Sequence, residues 1–146
     1  MLSQTTILNT VSCSGIGLHT GAHCNLEIRP AGPDQGIVFI RKDLPKQPRI
    51  RAHIDNVVDA TLATTLGGDG GKVSTVEHLM AAFAGLGIDN AEVELDAPEV
   101  PIMDGSSEPF NNLLKKAGIR AQNKVKKLII IKRPVTVTDD DCQATL

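Results

Sequence analysis

Glu77 and His78 are the two residues of this chain whose types and spacing could do chemistry together. A neutral imidazole can hold a divalent metal ion, and a carboxylate beside it can take a proton from metal-bound water. The pair sits in the run Ser74-Thr75-Val76-Glu77-His78-Leu79-Met80-Ala81-Ala82-Phe83, in the first turn of an expected helix. Each residue also has a plain structural use. Ser74 and Glu77 stand three apart, in the order of a capping box, where the Glu bonds back to the Ser backbone amide. A single helical His is ordinarily a surface or hydrogen-bonded residue. Cap and proton acceptor compete for one carboxylate, and helical neighbours diverge by about 100°.

Around the pair the chain reads as strands followed by two helices. Cys24, Leu26 and Ile28 alternate with Asn25, Glu27 and Arg29, a half-buried strand closed by Pro30. Residues 6–13 predict one mixed strand, residues 37–40 a short buried one, and Ile50, Ala52 and Ile54 another. Residues 61–66 predict a strand stopped by Gly67-Gly68-Asp69-Gly70-Gly71. The first helix starts at Ser74, with Val76, Leu79, Met80, Phe83 and Leu86 as its apolar stripe and Gly87 as its stop. Its other side carries His78, Ala81, Ala82 and Gly85, which is small rather than charged and predicts packing on both sides. Residues 91–95 predict a strand. A second helix is capped by Ser106 or Ser107, has Pro109 in its first turn, turns Phe110, Leu113, Leu114 and Ala117 inward and ends at Gly118. The polar stretch 121–124 reads as a linker, 128–131 and 135–137 as strands of a further unit, and Asp139-Asp140-Asp141 as a turn. The expected fold is α+β: a two-layer sandwich of a mostly antiparallel sheet with two helices on one face, over residues 1–120, with 121–146 opening a second domain.

The composition narrows the function. A chain of 146 residues, 41% hydrophobic and 22% charged, can build an ordinary core. With no Trp or Tyr and three Phe, that core is aliphatic. A net charge of -2 gives no reason to expect a nucleic-acid partner, and the basic cluster Lys124, Lys126, Lys127, Lys132, Arg133 reads as a solvated face. Cys13, Cys24 and Cys142 are too few and scattered for a disulfide framework and suggest a reducing compartment. No basic stretch followed by an apolar run opens the chain, and no run reaches the roughly 20 apolar residues of a membrane span. The expectation is a cytoplasmic protein without a membrane span.

Further motifs flank the Glu-His pair: Gly15-Ile16-Gly17-Leu18-His19-Thr20-Gly21 upstream, then Gly87-Ile88-Asp89-Asn90 and Pro101-Ile102-Met103-Asp104-Gly105-Ser106 downstream. In that order and spacing they resemble the first half of the UDP-3-O-acyl-N-acetylglucosamine deacetylase family, zinc enzymes of lipid A synthesis. The resemblance runs over essentially the whole chain. It implies that His78 is one of three protein ligands to a catalytic Zn2+ and that Glu77 is the general base. It places His19 near the cleft, where a turn His would otherwise be structural. It makes Asp104, otherwise part of a turn leading to a helix cap, a support for the site. It puts Thr61, Leu62 and Ala63, otherwise a strand edge, beside the passage for the substrate's acyl chain. The implied substrate is a UDP-sugar lipid precursor. The family's other His and Asp ligands, its acid His and its oxyanion-binding Thr belong to a second domain, the partner this chain would need, and have no counterpart here. A different class of reading is a non-catalytic, truncated domain that folds or pairs without activity. A third, an RNA- or nucleotide-binding domain, is opposed by the lack of a Gly-x-x-x-x-Gly-Lys-Ser/Thr loop and of a clustered aromatic-basic face.

Overall fold

The computed structural model describes residues 2–146. Two strands, β1 (Ser3–Ile7) and β2 (Val11–Ile16), stand where the sequence predicts one. The break has a physical cause. The amides of Leu8 and Asn9 donate to the carbonyls of Gly118 and Ala117, at 2.9 and 3.1 Å, and so leave any ladder between them. β3 (His23–Pro30) follows the predicted alternation, with Cys24, Leu26 and Ile28 buried. β4 (Ile37–Arg41) is buried at every position, and β5 (Arg49–Arg51) is short. The expected continuation of β5 is instead a 3-10 turn over Ile54–Asn56.

A three-stranded sheet comes next: β6 (Val57–Asp59), β7 (Thr65–Gly68) and β8 (Gly71–Val73). The glycine-rich run therefore makes a hairpin between β7 and β8. Then come α1 (Glu77–Leu86), β9 (Ala91–Leu95) and α2 (Glu108–Ala117). The chain closes with β10 (Ile119–Val125), β11 (Thr136–Asp139) and β12 (Cys142–Thr145).

The central sheet has the order β2-β3-β9-β4-β5. Only the β4–β9 contact is parallel; the other three are antiparallel. Its inner rows pair Leu26 with Leu95 and Ile28 with Val93, and Phe39 stands beside Val93. Such cross-strand apolar pairs are the unit of sheet stabilisation. Leu79, Ala82 and Phe83 of α1 and Phe110, Leu114 and Ala117 of α2 complete the same core cluster. The fold is α+β, as expected, with an antiparallel-dominated sheet and two helices.

α1 ends as predicted. Gly87 is left-handed (φ 69°), and the Ile88 amide donates to the Phe83 carbonyl at 2.9 Å, satisfying a terminal carbonyl that has no partner within the helix. On the helix's small-residue side, Ala81 and Gly85 are exposed, whereas Ala82 is fully buried. That side is therefore split, and only part of it faces outward.

Residues 121–124, expected as a linker, lie within β10, which runs antiparallel to β1 with Thr5 opposite Ala121 and Ile7 opposite Ile119. A polar network seals this join. Asn90 Nδ2 donates to Gln4 Oε1 at 2.9 Å and to Gln122 Oε1 at 2.7 Å, and Asn90 Oδ1 accepts from the Gly36 amide at 2.8 Å. Asp89 accepts from the Thr5 amide at 2.8 Å. The Gly-Ile-Asp-Asn motif is thus a structural junction. Residues 128–131 form no strand, and β11 and β12 pair only with each other. No helix among the described residues is long and apolar enough to cross a membrane.

Candidate active site

α1 begins at Glu77, three residues later than expected, and has no side-chain cap. Ser74 is occupied elsewhere. Its amide donates to the Pro98 carbonyl at 2.9 Å, its carbonyl accepts from the Val100 amide at 3.1 Å, and its hydroxyl bonds to Thr65 Oγ1 at 2.8 Å. The capping box therefore does not form. Glu77 Oε2 instead accepts from the backbone amide of Thr64 at 3.1 Å, immediately beside residues 61–63. Glu77 and His78 are both half-buried.

Residues 61–63 are a bend rather than the start of β7. Asp59 Oδ1 accepts from the Thr61 amide at 3.0 Å and from its hydroxyl at 2.8 Å, and this local capture removes the segment from the ladder. Leu62 is left 81% exposed. His19, Thr61, Leu62 and Ala63 come together around one cleft of about 390 Å³, which Thr65, Ser74 and Glu99 also line.

Asp104 does not line this cleft; it lies in a separate groove with Ile16, Ile102, Met103 and Pro109. The Ser106 hydroxyl and amide, at 2.8 and 2.9 Å, hold its carboxyl below the usual range, and the nearby His78 adds to the effect. A wider hollow of about 550 Å³ on the outer face of the central sheet is a solvated charge ladder. Arg29 pairs with Glu94 at 3.2 Å, Lys42 with Glu94 at 3.5 Å, and Asn25 with Asp96 at 2.7 Å, so the charges and amides there already have partners.

Glu99 is the residue that sequence reasoning missed. It follows a proline in a loop-like stretch, and nothing local marks it. It is completely buried and borders the cleft. Burial alone would raise its carboxyl, but the His19 amide, the hydroxyls of Thr20 and Thr75 and the Thr20 amide outweigh that and lower it to about 2. The consequence for stability follows from linkage. As pH falls from the ordinary value of 4.5 towards about 2, the unfolded chain takes up this proton before the folded one does, so stability is lost. Above 4.5 the contribution is fully present. We expect Glu99→Gln to flatten this part of the acid-unfolding profile, read as denaturant midpoint against pH. An unchanged slope would mean that Glu99 is not ionised in the folded state.

A catalytic zinc site takes three protein ligands and keeps one open position. Among the described residues, no group of three His, Cys, Asp or Glu side chains is placed to hold a metal ion. His78 offers an imidazole, a donor type that suits zinc, with the Glu77 carboxylate adjacent in sequence, but these two residues do not make a complete ligand set.

The family model for UDP-3-O-acyl N-acetylglycosamine deacetylase matches residues 4–146. The chain belongs to this deacetylase family. Its similarity to curated members is high along its whole length. It is 55% identical over 144 residues to the UDP-3-O-acyl-N-acetylglucosamine deacetylase of Myxococcus xanthus, covering 99% of this chain and 46% of that protein. The values for the enzyme of the same name from Syntrophus aciditrophicus are 49% over 146 residues, 100% and 46%. For that of Alcanivorax borkumensis they are 54% over 145 residues, 99% and 48%. The chain thus spans about half the length of the curated deacetylases it matches.

Proposed function

We propose that this chain is the first half of a zinc-dependent deacetylase that removes the N-acetyl group of UDP-3-O-(3-hydroxyacyl)-N-acetylglucosamine in lipid A biosynthesis. The observation that carries this reading is the direction of Glu77. Its carboxylate leaves the helix cap and accepts from the amide of Thr64, whose chain neighbours Ala63 and Thr65 line the cleft with His19. Family membership supplies the chemistry. Zinc, when bound, polarises the amide carbonyl and lowers the pKa of a water molecule.

The roles of the chain's own residues follow. His78 contributes one imidazole donor to the metal. Asp104, whose carboxylate is held by Ser106, supports the site from the neighbouring groove. Glu77 takes the proton from the attacking water at its carboxylate. Water then adds to the acetyl carbon, the C–N bond breaks as the amine nitrogen takes up a proton from the general acid, and acetate and the free amino sugar are released. His19 and Thr61 border the cleft, and exposed Leu62 with Ala63 provides apolar contact for the acyl chain. The remaining metal ligands, the general acid and the oxyanion donor come from the second half of the enzyme. The three free thiols, Cys13, Cys24 and Cys142, favour a reducing, cytoplasmic setting.

The test is deacetylation of the UDP-sugar substrate by the whole enzyme, with and without a chelator. Release of acetate that stops on metal removal and returns with zinc supports the proposal; activity indifferent to chelation overturns it. For the 146-residue segment alone, we expect weak zinc binding, because a single imidazole replaces only one water of the hydrated ion. Calorimetry should then detect no tight stoichiometric site. Submicromolar binding that disappears in His78→Ala would reveal a ligand set within these residues.

A further inference from the structure

We propose that Glu99 is a positioning residue of the active site, whose buried carboxylate ties the His19 turn to Thr75 and so sets where Glu77 and His78 stand. The inference rests on the deacetylase reading and adds a residue that does not touch the reacting atoms. Three observations carry it.

The first is the donor set. Glu99 Oε1 accepts from the His19 amide at 3.0 Å and the Thr75 hydroxyl at 2.7 Å. Oε2 accepts from the Thr20 amide at 2.8 Å and the Thr20 hydroxyl at 2.7 Å. All four donors are neutral. Burying a carboxylate among neutral donors is a costly way to join two segments, and apolar packing would serve mere cohesion as well or better. Only an ionised carboxylate accepts on both oxygens at once; an amide would turn an NH2 group towards N–H donors.

The second is Thr75. It is 2% exposed and has φ 58°, a left-handed conformation unfavourable for a β-branched residue. Thr75 is the corner between the Ser74–Glu99 bridge and the start of α1, two residues before Glu77. Its hydroxyl bond to Glu99 holds that corner in place.

The third is the approach of the His19 turn. The turn closes through the Gly21 amide on the Gly17 carbonyl at 3.0 Å and the Gly17 amide on the Ala22 carbonyl at 2.9 Å. A Cβ at Gly17 would overlap the Glu99 carboxylate and come within 2.6 Å of Thr20 Oγ1. The backbone can lie this close only because residue 17 is glycine. One carboxylate therefore anchors both the His19 side of the cleft and the corner that launches the Glu77–His78 pair.

The experiment uses the whole enzyme with Glu99→Gln, Thr75→Val, Thr75→Ser and Glu77→Ala, plus Ile28→Ala as a core control away from the cleft. We expect Glu99→Gln and Thr75→Val to lower kcat roughly ten- to a hundredfold, with KM changed less than about threefold, because small misplacement of reacting groups is enough for such losses. Thr75→Ser keeps the hydroxyl and should restore most of the rate. Ile28→Ala should lower the melting temperature yet keep kcat in the folded enzyme. The His78 imidazole signals in nuclear magnetic resonance spectra of the metal-free enzyme should shift in Thr75→Val and return in Thr75→Ser. If Glu99→Gln does not fold, the Thr75 pair decides. Normal kcat and unmoved His78 signals in folded Thr75→Val overturn the inference. If Glu77→Ala abolishes turnover while Glu99→Gln and Thr75→Val leave it intact, the positioning role alone fails. If Glu77→Ala leaves turnover unchanged, the base assignment of Glu77 fails, and if the parent enzyme releases no acetate, the deacetylase reading fails; in either case the His78 signals still judge the clamp.

Discussion

Glu77→Ala is expected to lower the turnover of the whole enzyme by roughly two or more powers of ten while bound zinc stays nearly constant, the signature of a lost general base. The structure separates this outcome from a capping effect. Glu77 makes no bond to Ser74, and its carboxylate accepts from the Thr64 amide at 3.1 Å. Truncation to Ala removes that bond as well, so a stability loss of about 1 kcal/mol accompanies the loss of rate. Glu77→Gln distinguishes the two contributions. Its side-chain carbonyl can still accept from Thr64, but it cannot take up a proton from water. We therefore expect Glu77→Gln to melt close to the parent and to be nearly as slow as Glu77→Ala. Near-parental turnover in Glu77→Gln would remove the base assignment, whatever happened to stability.

His78→Ala should give the opposite pattern for metal. With His78 in the proposed ligand role, its removal should leave the purified enzyme with much less than stoichiometric zinc, and turnover should fall with the metal content. His78 is half-buried at the open end of α1, so the metal-free fold should lose little; a change within about 1 kcal/mol is expected for such a position. Metal analysis, initial rates and melting temperature on the same preparations are sufficient. Full zinc occupancy in His78→Ala would show that His78 is an ordinary helical histidine. Full zinc loss in Glu77→Ala would show that Glu77 supports the metal site rather than acting as the base.

Much of the frame was legible in local pattern. β3 and β9 alternate because one face of each strand is buried, and that requirement is written in side chains two residues apart. α2 carries its proline at the start, its inward Phe110, Leu114 and Ala117, and its closing Gly118 within a dozen residues. The motifs around Glu77, His78, His19 and Asp104 were likewise sufficient to indicate the deacetylase family.

The remaining features depend on partners distant in sequence. The polar stretch 121–124 has no strand period, and it becomes part of β10 because β1 lies open to pair with it and Gln122 reaches Asn90, 32 residues away. Residues 128–131, apolar enough to suggest a strand, join no ladder, since an apolar run becomes a strand only where an edge accepts it. The capping-box spacing at Ser74 and Glu77 was real in sequence, but the Pro98 and Val100 backbone claims Ser74 and turns the chain at Thr75 before the helix can start. Glu99 had no signal at all, because its donors His19, Thr20 and Thr75 are 80, 79 and 24 residues away. The sequence by itself determined which strands and helices carry an inward face and which chemical groups are available. The tertiary structure alone decided where Glu77 points and what Glu99 holds, because a carboxylate's direction is set by the donors that converge on it in space.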